Sequence, residues 1–354
     1  MPQSIHANAT GRGFSLIDVL VGLCVGLLSM VIVHQAFVAV DTIRRNAASV
    51  ADAQSSGAFA LYAMASQIGN AGAGTAVAAR WLDTCPATAN VATTLRPVDV
   101  LITDGGAADR SDSLVVRQAL APIIATPAAF ATPAAAGASF RVESADGLFA
   151  VGDRVVAISR TGACAMTQLT AVGTAVAGVV DLAHSAITIG LPVTSVLLDL
   201  GPAGLASVLR YDVAAGVLRS TDLANGDAPV PLTSNIVNVK FQYGIDSDGD
   251  GTLDTWASAD SSGSWTPAVL LAAPRTTLER IKAIRVGLIV RGERIDRALT
   301  GAYRWVLFDC ELDDKSACPG RLEGTIAGSA TGGYRYRAFE TVVPLRNVIW
   351  NRGA

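Results

Sequence analysis

Gly13-Phe14-Ser15-Leu16-Ile17-Asp18-Val19-Leu20 opens a run that stays almost entirely apolar to Val40, interrupted by Asp18, His34 and Gln35. As a helix rising ~1.5 Å per residue, this run spans about 40 Å, enough to cross a bilayer. A secretory signal would have a shorter apolar core followed by a small-residue cleavage site; here the small residue, Gly13, stands before the run. Asp18 is the residue that this pattern does not explain. A lone charge at membrane depth costs about 2.5–3.5 kcal/mol or more, so the carboxylate needs a partner or a task.

Beyond the run, Ala47, Val50, Ala51, Gln54, Ala58, Leu61, Tyr62, Ala65 and Ile68 recur at intervals of three and four, which predicts that the helix continues as an amphipathic segment. Gly69-Asn70-Ala71-Gly72-Ala73-Gly74 supplies terminators. These glycines do not form a dinucleotide loop, because Val77 breaks the spacing and the segment follows a helix instead of a strand. From about residue 80 the chain turns to short β-rich pieces, among them residues 113–117, 140–143 and 154–158. Residues 209–213 and 217–219 flank Ala214-Ala215-Gly216 as a hairpin. Val237, Val239, Phe241 and Tyr243 alternate with Asn238, Lys240 and Gln242, and Ile284, Val286, Leu288 and Val290 form a second period-two stretch. The alanine-rich residues 119–138, punctuated by Pro122, Pro127 and Pro133, read as a surface excursion.

A long helix whose apolar stripe is covered by an antiparallel sheet buries both apolar faces. The fold class is therefore α+β: a long N-terminal helix, membrane-spanning in its first half, packed on an antiparallel β-sheet with a β-rich C-terminal region. Composition agrees, with 51% hydrophobic and only 16% charged residues, against roughly 25% charged in soluble domains. A net charge of -3 gives no reason to expect general nucleic-acid binding, which rests on phosphate neutralisation by Lys and Arg. Cys24 falls in the apolar run, leaving Cys85, Cys164, Cys310 and Cys318 as an even set. In an exported chain four cysteines allow three pairings. Cys310 with Cys318, closing the charged residues 311–317, and Cys85 with Cys164 are favoured; four free thiols in a cytosolic protein are the alternative.

The opening segment resembles the type IV prepilin N-terminus: glycine, phenylalanine, then an apolar helix with an acid at its fifth position. Asp112-Ser113-Leu114, Phe241-Gln242-Tyr243-Gly244-Ile245-Asp246, residues 283–291, residues 334–341 and Val343-Pro344-Leu345-Arg346-Asn347 are similar to the PilW family of type IV minor pilins. The resemblance is strong at both ends and weak between residues 75 and 205. It implies a pilin-like fold with a leader at residues 1–13, a transmembrane half of the helix at 14–40, an exported amphipathic half at 41–74 and a β-rich globular domain at 75–354. It also implies cleavage between Gly13 and Phe14 by a prepilin peptidase, and methylation of the new Phe14 amine. Asp18 would then pair with such an amine on a neighbouring subunit during assembly; the family usually has glutamate here, so this side chain reaches one methylene less far. Arg12 agrees with a cytoplasmic N-terminus, but Arg44 and Arg45 lie beyond the other end of the run, so the motif and not the charge count sets the orientation.

The implied function is that of a minor pilin in type IV pilus assembly, acting in a priming or tip complex and not as an enzyme. Its place would be the inner membrane, single pass with a periplasmic C-terminal domain, and then the pilus at the cell surface, where pili serve adhesion and twitching motility. Its partners would be other minor and major pilins, the prepilin peptidase, the inner-membrane assembly machinery and membrane lipid. A pseudopilin of a type II secretion system would share the N-terminus. A membrane-tethered calcium-binding adhesion module is the alternative from a different class.

That last alternative rests on Asp246-Ser247-Asp248-Gly249-Asp250-Gly251-Thr252-Leu253-Asp254. Asp246, Asp248, Asp250, Thr252 and Asp254 stand at loop positions 1, 3, 5, 7 and 9 with glycine at 6, the order in which calcium loops present oxygen ligands. Ala257 occupies position 12, where a bidentate acid is usual, and Asp260 is the nearest substitute; an acidic, solvated turn fits the same residues. Arg335 and Arg337 share a strand face, which as a solvated or ion-paired surface needs no ligand. Signals for enzymes are lacking: no nucleophile elbow or P-loop is present, and His184 is the one histidine beyond the apolar run.

Overall fold

The apolar run and the segment after it form one helix, α1 (Leu16–Gly69). The computed structural model describes residues 15–73, 85, 98–118, 127–144, 147–160, 162–185, 187–202, 207–223, 226–260, 263–310 and 318–350. The chain divides into two units, residues up to Ala51 and residues from Asp52 onward. In the first unit the large apolar side chains of residues 16–40 are exposed, as lipid contact would require, and among the described residues α1 is the one helix long and apolar enough to cross a membrane.

The second unit continues with β1 (Val100–Thr103), β2 (Ser113–Gln118), β3 (Ala128–Ala129), β4 (Phe140–Glu143), β5 (Asp153–Ile158), β6 (Cys164–Val172) and β7 (Val179–His184). Next come β8 (Val196–Pro202), β9 (Ser207–Ala214), β10 (Val217–Asp222), β11 (Val230–Ser234), β12 (Ile236–Ile245) and β13 (Thr255–Ala257). Short helices α2 (Pro267–Ala272) and α3 (Arg275–Leu278) precede β14 (Ile281–Asp296), β15 (Tyr303–Leu307), β16 (Leu322–Ile326), β17 (Gly333–Pro344) and α4 (Arg346–Trp350). The chain is thus a long apolar helix followed by antiparallel sheets, ordered β1-β2-β9-β10-β11, β13-β12-β14-β17, β15-β16 and β3-β8-β5-β6-β7-β4.

Residues 53–71 pack into the main core with Leu101, Leu114, Phe241, Tyr243, Ile284, Val286 and Leu288. The buried stripe of this part of α1 is Ala53, Gly57, Ala60, Met64 and Ile68, and this corrects the face expected from sequence. Ala51, Gln54, Ala58 and Tyr62 are exposed, so the packed face is turned by about one residue, ~100°. Small Gly57 and Ala60 let the sheet approach closely, while Met64 and Ile68 supply the bulk that fills the contact.

The β9–β10 hairpin turns at Ala215 (φ 51°) and Gly216 (φ 77°), the left-handed pair that a two-residue turn of matching twist demands. β12 departs from simple alternation, because Asn238, Lys240 and Gln242 are buried as well as their apolar neighbours. Each polar group on that second face is hydrogen-bonded, which removes the penalty that burial would otherwise carry.

Between β2 and β9 the chain makes an excursion with its own core. β2 and β9 are direct neighbours, with Gln118 opposite Ser207, and the residues between them form the six-stranded sheet. The expectation for residues 119–138 is corrected here. Residues 119–126 lie outside the described ones, but Ala128 and Ala129 pair with β8, and Phe130 and Ala134 are buried in the second core. Phe130 meets Phe140 edge-on at 5.2 Å between ring centroids, so the alanine-rich composition concealed a core anchor. Cys85 joins Cys164 and Cys310 joins Cys318, with Cα separations of 5.5 and 5.7 Å, within the usual range for such bridges.

Candidate functional site

At the start of α1, Ser15 and Asp18 form a reciprocal cap. Ile17 N–H donates to Ser15 Oγ at 3.3 Å, and Ser15 N–H donates to Asp18 Oδ2 at 3.3 Å. These bonds satisfy two of the amide groups that a helix N-terminus leaves without partners, and the carboxylate lies at the positive end of the helix dipole. Ser-x-x-Asp at the head of the apolar run is the sequence signal that could have predicted this cap. Gly13 and Phe14, the expected cleavage and methylation positions, lie outside the described residues.

The acidic loop follows β12. Carboxylate oxygens of Asp246, Asp248 and Asp254 lie within 4.8 Å of one another. Asp246 is fully buried; its Oδ1 accepts from Gly249 N–H at 2.6 Å and its Oδ2 from Gly251 N–H at 2.9 Å. Asp254 Oδ2 accepts from the amide and hydroxyl of Ser247 at 2.6 and 2.7 Å. Asp250 is not one of the three converging carboxylates. Asp250 Oδ1 instead accepts from the amide and hydroxyl of Thr252, both at 2.7 Å. No local pattern points to Lys282, whose Nζ lies 3.6 Å from Asp246 Oδ2 and donates to Glu279 O. One buried cation thus already stands beside the most buried carboxylate of the loop.

The remaining sequence motifs converge on the sheet and on the end of α1. Asp112 bridges to β12: its N–H donates to Val239 O at 2.9 Å, its Oδ2 accepts from Phe241 N–H at 3.0 Å, and its Oδ1 accepts from Lys240 Nζ at 2.8 Å. Burial pushes the Asp112 carboxyl above the usual carboxylate range, opposed chiefly by the Lys240 ammonium. Ile102 N–H donates to Tyr243 Oη at 2.6 Å. Arg285 lies between the rings of Trp256 and Phe308, 4.6 and 4.3 Å from their centroids, and donates to Gln242 Oε1 and, at 2.8 Å, to Pro319 O; burial lowers its guanidinium to about 10. Asn347 Nδ2 donates to Ala71 O at 2.9 Å, which ties the last motif to the residues just after α1. His184 stacks on Phe140 at 3.9 Å, and its Nδ1 and Nε2 lie 2.8 Å from the carbonyl oxygens of Ser185 and Ala138 respectively, a structural position. Arg335 pairs with Asp296 at 2.7 Å.

The contacts of Lys240, Gln242, Tyr243, Asp246, Arg285, Arg335 and Asn347 each have at least one partner in the region that the family comparison recovers. Residues 210–347 match the family model of PilW, type IV Pilus-assembly protein W. The PilW-like region thus runs from within β9 through the first residues of α4 and includes every strand of the β13-β12-β14-β17 sheet. Among solved structures the chain is similar to the type IV-like pilin from Thermus thermophilus, with 12% identity and a TM-score of 0.22 over 56% of this chain and 85% of that one. Comparison with curated proteins finds no match.

Proposed function

We propose that this chain is a minor pilin of a type IV pilus, anchored in the inner membrane by the first part of α1 and incorporated into a priming or tip complex that starts assembly. The observation that carries this reading is that the PilW-matching region closes over residues 53–71 of the same helix whose first part has the length and apolarity of a membrane span. In this reading its work is association and not turnover, and the buried Lys240–Asp112 pair serves packing. Partners would be other pilins and the assembly machinery of the inner membrane.

Intact mass of the assembled protein tests the reading, with a methylated Phe14 expected as its first residue. A chain that begins at Met1 in sheared pili, or one cut beyond Val40, would refute it. Asp18 has two separable tasks, capping and charge pairing, and two substitutions distinguish them. Asp18→Asn keeps an acceptor for Ser15 N–H and loses the charge, whereas Asp18→Ala loses both. Loss of incorporation in both variants supports pairing with a neighbour's amine. Full incorporation of Asp18→Asn would reduce the residue to a helix cap.

A second reading is compatible with the first and is favoured by the convergence of Asp246, Asp248 and Asp254: the acidic loop holds calcium and stiffens the β-rich region. Hard carboxylate oxygens at this spacing suit a hard cation, with Lys282 as the competing charge.

A further inference from the structure

Among the described residues, sheet edges are short, with one exception. β1, β11, β13, β3 and β4 are two to five residues long, a common way to keep an unpaired row of N–H and C=O groups from recruiting another chain. β11 also carries Pro231. β17 ends the four-stranded sheet and runs for 12 residues.

The described ladder of β17 is with β14, in a register that runs from Ala283↔Pro344 to Val290↔Arg337 and beyond. Leu345 N–H donates to Lys282 O at 2.8 Å, and an antiparallel strand bonds a given neighbour at every second residue. Arg337, Phe339, Thr341 and Val343 therefore turn their backbone groups toward β14, while Ala338, Glu340 and Val342 turn theirs outward. Among the described residues no backbone group meets these outward positions. The next outward residue is Pro344, which has no N–H and bounds the open edge.

Two of the charges on β17 are engaged within the fold. Arg335 pairs with Asp296 at 2.7 Å, and Glu340 Oε1 accepts from Phe308 N–H at 2.8 Å. Val342 is 55% exposed, and Arg337 is exposed on the opposite face. The face that carries Arg337 also carries Arg335, Phe339, Thr341 and Val343 and no acid, so a second copy of β17 would bring no carboxylate to Arg337.

We propose that the outer edge of β17 receives an extended segment of a different polypeptide, which adds a strand against residues 338–342. Main-chain bonds at Ala338, Glu340 and Val342 would supply affinity. Apolar side chains of the added strand lie beside Ala338 and Val342, and a carboxylate lies beside Arg337. This proposal does not depend on the chain being a pilin; it needs only the open edge.

Amide hydrogen exchange on the full chain in detergent micelles is the first test. The outward amides of Ala338, Glu340 and Val342 should exchange at least about 100-fold faster than those of Phe339 and Thr341. Equal protection would mean that this chain covers its own edge, and the proposal falls. The second test places a photo-crosslinking residue at position 342 of the full chain in the cells that produce it. Cross-links should map to one contiguous segment of one partner, and in the captured complex the three outward amides should slow by about 100-fold. Ala338→Pro removes an outward N–H without touching the β14 ladder and should abolish the capture while leaving the melting temperature near wild type; Thr341→Pro breaks the ladder and should lower it. Cross-links scattered over unrelated segments, capture of a second β17, or outward amides left unprotected in the complex would each overturn strand addition, whether or not Ala338→Pro folds.

Discussion

The ring of Phe339 fills the space beside Gly57 that any side chain there would need: a Cβ at residue 57 would stand 2.5 Å from Phe339 Cε2 and 2.8 Å from Cζ. This contact fixes which face of α1 meets β17, and it sets two effects against each other. Gly57→Ala gains about 1 kcal/mol of helix propensity, whereas overpacking costs about 1–3 kcal/mol. The expected balance is a net loss of about 1 kcal/mol, read as a lower melting temperature of the full chain in detergent. In a Phe339→Ala background the same substitution should become neutral or stabilising. A raised melting temperature for Gly57→Ala alone would mean that the ring yields and does not set the helix phase.

Lys240 and Asp112 form a pair in which both side chains are almost fully buried. Removing one partner leaves the other charge without its counterion, at a cost of about 3–5 kcal/mol. Lys240→Met should therefore be strongly destabilising at pH 7 and less so at low pH, where the Asp112 carboxyl takes up a proton. Asp112→Leu with Lys240→Met should lose less than the sum of the single changes. Additive losses in urea unfolding would show that the two residues contribute independently.

Asp199 provides the pH test. Burial pushes its carboxyl up to about 6, partly offset by the Gly201 N–H and reinforced by Asp153. Because the native carboxyl holds its proton to higher pH than the unfolded one, the native state binds more protons between the ordinary carboxylate range and about pH 6. Stability contributed by this group is present below that window and is lost as pH rises through it. The melting temperature of Asp199→Asn should match wild type near pH 4 and exceed it at pH 7. A constant difference across that range would show that Asp199 does not titrate in the window.

Much of this architecture was legible in the chain because period and punctuation agree with burial. The apolar run, the β9–β10 turn and the stretches that became β12 and β14 each carry a local signal that their tertiary contacts respect. What could not be read was information held by distant partners. The phase of α1 beyond Ala51 depends on Phe339, and the burial of Asn238, Lys240 and Gln242 depends on acceptors and donors elsewhere in the chain. Phe130 looked like part of a loose alanine-rich excursion because its partner Phe140 belongs to a core that no local pattern announces. In the acidic loop the spacing of aspartates was visible, but Lys282, which competes for Asp246, lies beyond two short helices.

Calcium binding by that loop can be decided on the full chain in detergent. Asp246, Asp248 and Asp254 supply oxygens at a spacing that suits a cation, while Ala257 replaces the usual twelfth-position acid and Lys282 Nζ lies 3.6 Å from Asp246 Oδ2. Both departures weaken binding, so the expected dissociation constant is ~10⁻⁴ to 10⁻³ M, in the class of extracellular modules. At ten times that concentration, binding would stabilise the fold by about 1.4 kcal/mol, visible as a rise in melting temperature that magnesium does not reproduce. Asp248→Ala with Asp254→Ala should remove the rise, since it deletes two of the three converging carboxylates. Lys282→Met should do the opposite: less stable than wild type without calcium, because it leaves Asp246 buried without its cation, and raised further by calcium than wild type is. If titration calorimetry detects no binding to wild type or to Lys282→Met at 10-fold above ~10⁻³ M calcium, Lys282 is the only cation that the loop was built to hold.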